Sequence, residues 1–215
     1  MLWPRTVPIQ PLDHPTQHPR SMNDFTLFLG KFLRHGTKIA SIAPSSPALS
    51  RLSVSGIDWD TVEGLVELGA GTGPITQAIA ERARPDCLVI AIERDPDFCA
   101  RLRRRFANQP HIRIVEGDVR DLEAILNHHG MNRVRHVISG LPVPSFPRDL
   151  RRDLFAAVGR ILEPDGTYHQ ITELPWVYRG LYRRYFNEVR FVFEPRNLPP
   201  AGAYFCRGLK TQPGE

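Results

Sequence analysis

Short apolar runs alternate with longer segments of helical spacing from about Thr61 onward. The runs 62–68, 87–93, 112–117 and 134–140 are short and mostly apolar, which is typical of buried parallel strands. The segments between them place apolar residues three and four apart and begin near Asp or Pro, as helix N-termini prefer. This alternation predicts a parallel sheet with right-handed crossovers.

The chain after Pro147 predicts a different kind of sheet edge. A helical segment leads to a strand near 167–172 and a helix near 175–186. Two further apolar runs, VRFVFEP and AYFCRG, are joined by a proline-rich loop and could pair antiparallel at the edge of the sheet. The expected fold is therefore α/β and Rossmann-like, with a mostly parallel seven-stranded sheet and an antiparallel edge hairpin.

The segment 24–35 predicts an amphipathic helix. Its apolar residues share one helical face and its basic residues lie on the other side, which is typical of an interfacial helix and equally of a lid packed on the domain. The apolar face consists of Phe25, Phe28, Leu29, Phe32 and Leu33, and the basic side of Lys31, Arg34 and His35. The preceding residues 1–22 are rich in proline and predict a flexible arm, with the pattern of neither a signal peptide nor a membrane span.

The charge and the cysteine content of the chain indicate the kind of partner and the cellular compartment. The chain of 215 residues has a net charge of +5 and far more arginine than lysine, which favours an anionic partner such as lipid headgroups or nucleic acid, although a GC-rich genome would give the same bias. Cys87, Cys99 and Cys206 are odd in number and lack metal-ligand spacing. They indicate reduced thiols in a cytoplasmic protein, and no metal site is expected.

The stretch VELGAGTGPITQAIAER, residues 66–82, places three glycines between the first strand and its helix. In a doubly wound sheet this turn faces the ligand. Gly69, Gly71 and Gly73 would let the main chain approach a bound molecule and adopt positive φ. A dinucleotide-binding turn is the first alternative, but the third glycine comes one residue too early for it. An ordinary tight turn is the second.

Three carboxylates at adjacent strand ends decide between these alternatives. Glu67 precedes the glycines, Glu93 ends the second strand, and Asp118 follows the third. Together they suit a ligand that donates hydrogen bonds through an amine, a ribose diol and an adenine amino group, and they do not suit a pyrophosphate.

The order ELGAGTG, IERD and EGDV resembles the class I S-adenosylmethionine-dependent methyltransferases, from about Val62 to Pro147. The resemblance implies the class I methyltransferase fold and S-adenosylmethionine as the cofactor. The cofactor-binding residues that it implies are Glu67, Gly69, Ala70, Gly71, Gly73, Glu93, Arg94, Gly117, Asp118 and Val119.

The stretch SGLPVPSFP, residues 139–147, stands where these methyltransferases usually carry the motif that binds the methyl acceptor. Adenine N6-methyltransferases carry an Asn or Asp followed by two prolines and an aromatic at this place, so base recognition is weakened here. SGLP resembles instead the bacterial phospholipid N-methyltransferases of the PmtA type, as do PSSPAL within 28–52 and NLPPA within 193–207. The resemblance assigns Ser139, Gly140, Leu141 and Pro142 to the catalytic loop.

Several further side chains are candidates for the acceptor site. Tyrosine and tryptophan residues in and after the fifth predicted strand could stabilise a methylated cation, although core packing is the stronger expectation for each. They are Tyr168, Trp176, Tyr178, Tyr182 and Tyr185. His169 could accept a proton, although a histidine within a strand is more often structural.

The expected function is N-methylation of a membrane aminolipid, either phosphatidylethanolamine or an ornithine-type lipid. The alternative is ribosomal RNA adenine N6-dimethylation, and a cofactor-binding protein without catalysis is a third class. We expect a flexible arm (1–22), an amphipathic, cofactor-covering segment (23–60) and a methyltransferase domain (61–215). A monomer is expected in the cytoplasm, reversibly bound to anionic membrane at the inner face of the cytoplasmic membrane through 24–35, with no nucleic-acid partner.

Overall fold

The computed structural model describes residues 45–174 and 176–211, which belong to one compact unit. The amphipathic helix predicted for 24–35 lies outside the described residues. The helices of the described part are α1 (Pro47–Ser53), α2 (Pro74–Ala80), α3 (Pro96–Arg105), α4 (Leu122–His128), α5 (Arg148–Ile161) and α6 (Arg179–Tyr185). The strands are β1 (Gly64–Leu68), β2 (Leu88–Glu93), β3 (Ile112–Glu116), β4 (Val134–Ser139), β5 (Leu162–Thr172), β6 (Phe186–Glu194) and β7 (Ala201–Leu209).

Within the described residues the strands form a seven-stranded sheet in the order β3-β2-β1-β4-β5-β7-β6. Strands β1 to β5 pair in parallel, and β7 runs antiparallel to both β5 and β6. The predicted fold, including the antiparallel edge hairpin, is confirmed. The strand order reverses between β1 and β4, so the crevice outside their carboxyl ends is the place where this architecture binds ligands.

The helices begin where the sequence provides capping groups. Pro74 and Pro96 occupy the first positions of α2 and α3, where the missing N–H costs nothing. The Asp95 side chain caps α3 by accepting hydrogen bonds from the backbone N–H groups of Asp97 and Phe98, at 2.8 and 3.1 Å. Helices α2 and α3 therefore follow β1 and β2 closely, and these two loops at the carboxyl edge stay short.

Two elements differ in length from the prediction. Strand β5 begins at Leu162 rather than near 167, because Leu162 pairs with Val134 and the register then shifts before Thr167 pairs with His136. Such an irregularity inserts residues into one strand and bends it, which period-two patterning does not reveal. Helix α6 is shorter than the predicted 175–186, since Trp176 has a φ of 65° and cannot belong to a right-handed helix.

His169 has a structural role in the core. Its Nδ1 lies 2.7 Å from the Ser53 carbonyl oxygen at the end of α1, and its Nε2 lies 2.8 Å from the Thr167 hydroxyl. Burial lowers the pKa of His169 to about 4, so the ring is neutral at physiological pH. A neutral ring that joins α1 to β5 favours the structural alternative over a proton acceptor.

Candidate active site

The glycine corner, residues 69–73, has left-handed backbone at all three glycines. Their φ angles are 73° at Gly69, 54° at Gly71 and 86° at Gly73. A Cβ at Gly69 would lie 2.6 Å from the Leu141 side chain, and one at Gly73 would lie 2.5 Å from the Leu102 side chain. A Cβ at Gly71 would meet nothing within 4 Å. Two of the glycines therefore permit close packing, and the middle one borders open space.

Glu93 connects the end of β2 to this corner. One carboxylate oxygen accepts the Gly71 N–H at 2.7 Å, and the other accepts the N–H groups of Arg94 and Asp95 at 2.8 and 2.9 Å. A carboxylate offers about four lone-pair sites, so these bonds fix its orientation and leave capacity for a ligand hydroxyl. These bonds tie the end of β2 to the glycine corner.

Asp118 lies beyond the end of β3 with its charge compensated by Arg120. The Arg120 guanidinium donates to both carboxylate oxygens, at 2.9 and 2.7 Å, and the Arg120 N–H donates to one of them at 2.9 Å. Burial alone would raise the pKa of Asp118, but these hydrogen bonds outweigh it and hold the pKa below its ordinary value. Asp118 is therefore an ionised acceptor at the same edge of the sheet as Glu93.

Glu67 is fully buried on β1 beneath the glycine corner. Its carboxyl oxygens make no close hydrogen bond, and the Thr76 hydroxyl and N–H group are the donors that face them. Burial raises the pKa of Glu67 from 4.5 to about 7; Thr76 offsets part of this effect, and the charge of Glu93 adds to it. Unsatisfied buried acceptors of this kind are costly, so they indicate a site that a cationic or donor group can satisfy.

The other predicted cofactor residues complete this edge. The Gly69 and Ala70 N–H groups donate to the Ile92 carbonyl at 2.9 and 3.2 Å, and the Gly117 N–H donates to the Glu93 carbonyl at 3.0 Å. Val119 is buried in a short 3₁₀ turn after Asp118, and an Arg94 guanidinium nitrogen lies 4.0 Å from the Asp118 carboxylate. The ends of β1, β2 and β3 are thus held together by backbone bonds.

The predicted acceptor loop, residues 139–142, packs directly against the glycine corner. The Gly140 N–H donates to the Leu68 carbonyl at 2.9 Å. A Cβ at Gly140 would lie 2.8 Å from the Gly69 carbonyl oxygen, so only glycine permits this approach. Pro142 then leads into a 3₁₀ turn over Val143–Ser145. The structure therefore brings the two predicted loops into backbone contact.

Gln170 holds the acceptor loop in place, and sequence reasoning missed it. Its side-chain amide donates to the carbonyl oxygens of Leu141 at 2.8 Å and Ser139 at 3.2 Å, while its oxygen accepts the Tyr168 hydroxyl at 2.7 Å. Gln170 is almost fully buried. An amide at the carboxyl end of an otherwise buried strand was the available signal, because a buried amide needs several partners.

The aromatic candidates divide between the core and the surface. Tyr168 and Tyr182 are fully buried, and Tyr185 packs against Phe155 with ring centroids 4.1 Å apart, so these tyrosines belong to the core as the stronger expectation had it. Tyr178 is half-buried, and its N–H donates to the Tyr204 hydroxyl at 3.2 Å. Trp176 is 61% exposed.

Comparison with known proteins identifies the family. Residues 65–166 match a family model described as a methyltransferase domain. The chain is 64% identical over 189 residues to the ornithine lipid N-methyltransferase of Singulisphaera acidiphila, and the aligned region covers 88% of this chain and 98% of that protein. The ribosomal RNA small subunit methyltransferase A of Acidobacterium capsulatum is 35% identical over 86 residues, 40% of this chain and 29% of that protein.

Solved structures show the same architecture. The 1,6-didemethyltoxoflavin-N1-methyltransferase of Burkholderia thailandensis superposes with a TM-score of 0.62 at 16% identity, covering 93% of this chain and 94% of that chain. Aeropyrum pernix fibrillarin, solved with S-adenosyl-L-methionine, superposes with a TM-score of 0.56 at 12% identity, covering 74% and 72%. At these identities the likeness concerns the fold.

The chain therefore belongs to the class I S-adenosylmethionine-dependent methyltransferases, and within them to the family that includes this ornithine lipid N-methyltransferase. The class predicted from ELGAGTG, IERD and EGDV is confirmed. The residues present fit the cofactor, because Gly71 borders open space and the Glu67 carboxyl, on the strand that leads into the glycine corner, makes no close hydrogen bond. Among the described residues, no helix combines the length and apolar character needed to span a membrane.

Proposed function

We propose that the protein transfers methyl groups from S-adenosylmethionine to the primary amine of a membrane aminolipid, with an ornithine lipid as the first candidate and phosphatidylethanolamine as the second. The observation that carries this proposal is the close approach of the acceptor loop to the glycine corner: the Gly140 N–H donates to the Leu68 carbonyl at 2.9 Å, and a Cβ at Gly140 would lie 2.8 Å from the Gly69 carbonyl oxygen. A cofactor on one loop and an amine on the other would lie side by side. The 64% identical ornithine lipid N-methyltransferase supports the choice of lipid.

We assign the three carboxylates to three parts of the cofactor. Glu93, already oriented by three N–H groups, would accept the ribose hydroxyls, and Asp118 would accept the adenine amino group. Glu67 would face the ammonium group, which would favour its ionised form despite burial. The backbone of Gly69, Ala70, Gly71, Gly73, Gly117 and Val119, together with the Arg94 side chain, would enclose the ligand.

The acceptor amine would be held by the Gly140 carbonyl and the Ser139 hydroxyl, with Pro142 ending the loop. One lone pair of the Leu141 carbonyl is already engaged by Gln170. When bound, the cofactor supplies a methyl group on a sulfonium that is already activated, so the protein's task is alignment and exclusion of water. Residues 139–142 carry no titratable side chain. The amine would therefore lose its proton before it enters the loop.

Ribosomal RNA is the runner-up acceptor. Its strongest support is the partial match to ribosomal RNA methyltransferases, which covers 40% of this chain and 29% of the Acidobacterium protein. The acceptor loop argues against it, because SGLP lacks the amide or acid and the aromatic ring that hold a flipped adenine.

The cellular setting is part of the same proposal. The enzyme would work as a monomer in the cytoplasm, without a nucleic-acid partner, and bind anionic lipid at the inner face of the cytoplasmic membrane through 24–35. Residues 1–22 would serve as a flexible arm, 23–60 would cover the cofactor, and 61–215 would form the catalytic domain.

Purified protein with methyl-labelled S-adenosylmethionine tests the proposal. Detergent-dispersed ornithine lipid, phosphatidylethanolamine and ribosomal RNA are offered separately, and label in each is counted. We expect incorporation into the ornithine lipid, with Glu93→Ala as the inactive control. Label in RNA alone would overturn the proposal, and label in phosphatidylethanolamine alone would replace the first lipid candidate by the second.

A further inference from the structure

The exposed large apolar side chains of residues 45–174 and 176–211 are concentrated in two neighbouring loops and at the end of β6. We call them the edge patch, and they are Leu174 (52% exposed), Trp176 (61%), Val177 (65%), Phe193 (42%) and Leu198 (83%). Scattered exposed apolar residues are ordinary on a protein surface, whereas a contiguous group marks a binding surface. The concentration of these side chains at one place therefore calls for a ligand or partner.

The edge patch lies at the carboxyl edge of the sheet, where the acceptor loop also lies. Strand β5 passes Gln170, which pairs with Ser139, and ends two residues later at Thr172. Thr172 pairs with Gly202, and Glu194 pairs with Ala201. The loops 173–178 and 195–200 therefore leave the sheet at the edge where residues 139–142 present the amine-binding groups.

Trp176 is exposed, and its ring contacts two neighbouring phenylalanines. It is the one non-glycine residue with positive φ among the described residues, at 65°. Its ring stacks on Phe193 with centroids 5.3 Å apart and an interplanar angle of 28°, and it meets the edge of Phe191 at 5.5 Å. A non-glycine residue in this backbone region costs free energy, and such residues cluster at functional sites.

A second loop contact ties this surface to the N-terminal part of the domain. The Ser46 N–H donates to the Asn197 side chain at 2.8 Å, and the Asn197 amide donates to the Pro199 carbonyl at 2.7 Å. Ser46 belongs to PSSPAL and Asn197 to NLPPA, two of the stretches that carry the resemblance to lipid methyltransferases. The loop that presents Leu198 is thus fixed in its position.

We propose that the edge patch inserts into the headgroup boundary of the bilayer and so brings the acceptor loop to the amine of its lipid. This inference rests on the proposed lipid acceptor. Trp, Phe and Leu are the residues that prefer this boundary. A protein partner fits less well, because five partly exposed side chains, each offering on the order of 100 Å², fall short of the about 800 Å² per partner of a stable interface.

Charges around the edge patch nearly cancel. Arg196 pairs with Glu194 at 2.8 Å, and Arg51 adds one positive charge near that pair. The exposed Glu173 and Arg179 lie at the start and just beyond the end of the 173–178 loop with opposite signs. Apolar insertion would therefore dominate at this surface. Binding through the edge patch should persist in high salt, in contrast to attraction through surface charges, which salt screens.

Tryptophan fluorescence tests the insertion directly, because the chain has three tryptophans. The variant Trp3→Phe/Trp59→Phe keeps Trp176, and the matched control Trp3→Phe/Trp176→Phe keeps Trp59, which precedes β1 at the opposite edge. Each is mixed with phosphatidylethanolamine and phosphatidylglycerol vesicles with or without brominated acyl chains. We expect a blue shift and bromine quenching for Trp176, unchanged in high salt, and neither effect for Trp59.

A second variant separates this inference from the proposed function. Val177→Ser/Leu198→Ser removes the two most exposed apolar side chains of the edge patch and leaves Trp176 in place. We expect methylation of ornithine lipid in vesicles to fall about tenfold or more through lost apolar insertion, with transfer to the same lipid in detergent micelles within about twofold of wild type.

Each contrary result has a distinct meaning. No quenching of Trp176 with bound vesicles, or equal vesicle activity of the double variant, overturns the edge patch as the membrane contact. A wild-type dimer in sedimentation that the double variant dissociates assigns the patch to a second copy and also overturns it. If the wild type methylates no lipid even in micelles, the proposed function is overturned. The quenching of Trp176 by brominated lipid still decides whether the edge patch inserts.

Discussion

The Gln170 side-chain amide donates a hydrogen bond of 2.8 Å to the Leu141 carbonyl, and this contact joins β5 to the loop that we assign to the acceptor amine. A second bond to the Ser139 carbonyl, 3.2 Å long, fixes the loop on both sides of Gly140. Gln170 therefore acts as a positioning residue, since it shapes the amine site through the loop backbone.

Replacing Gln170 with Leu should lower kcat for lipid methylation by about tenfold or more, because a loop displaced by a fraction of an ångström loses alignment. Tyr168→Phe is the matched control, because it removes only the hydrogen bond to the Gln170 oxygen and keeps both amide donors. Steady-state kinetics with calorimetry of S-adenosylhomocysteine binding separates the effects. A loss of cofactor affinity equal to the loss of kcat would indicate general unfolding and contradict the positioning role.

Replacing Glu93 with Ala should weaken S-adenosylmethionine binding. The substitution removes the acceptor that orients Gly71 and that we assign to the ribose hydroxyls, and hydrogen bonds to charged groups contribute roughly 1.5–3 kcal/mol each. Titration calorimetry of the folded variant measures this loss. Unchanged affinity, or tight binding of NAD to the wild type, would refute the cofactor site.

The glycine corner offers a pair of matched substitutions. Gly71→Ala meets no atom within 4 Å, so it should cost only the backbone strain of about 1–2 kcal/mol in stability while its methyl group obstructs the cofactor. Gly73→Ala would place a Cβ 2.5 Å from Leu102 and should destabilise the fold further by core overpacking, typically by about 1–3 kcal/mol. Urea unfolding and cofactor titration of both variants check this. Equal stability losses would show that Gly71 does not border open space.

Glu67 predicts how stability depends on pH. Folding raises its pKa from 4.5 to about 7, so between these pH values the folded state binds a proton that the unfolded state has released. The stabilisation is fully present below about pH 4.5 and is lost as pH rises through 7, a change of about 3 kcal/mol. Without cofactor, the free energy of unfolding should fall from pH 5 to pH 8 more steeply in the wild type than in Glu67→Gln. Parallel urea curves for the two proteins would contradict the raised pKa.

Strand periodicity and glycine spacing predicted much of this protein. The parallel strands, the edge hairpin and the order of Glu67, Glu93 and Asp118 followed from local patterns, because buried strands and strand-end turns have composition signals of their own. The register shift in β5 and the positive φ of Trp176 did not, since both depend on pairing with distant segments. Gln170 was missed for the same reason, as its partners lie 29 and 31 residues away.

The central claim, methylation of an aminolipid amine, is tested most directly by the lipids of a bacterial host that makes ornithine lipid and phosphatidylethanolamine but methylates neither. The host expresses the wild type or Glu93→Ala, and the extracted lipids are analysed by mass spectrometry. We predict N-methylated ornithine lipid with the wild type alone, recognised by the mass added per methyl group and a headgroup fragment that carries it. Unmodified lipids alongside methylated ribosomal RNA in the wild-type cells would contradict the claim.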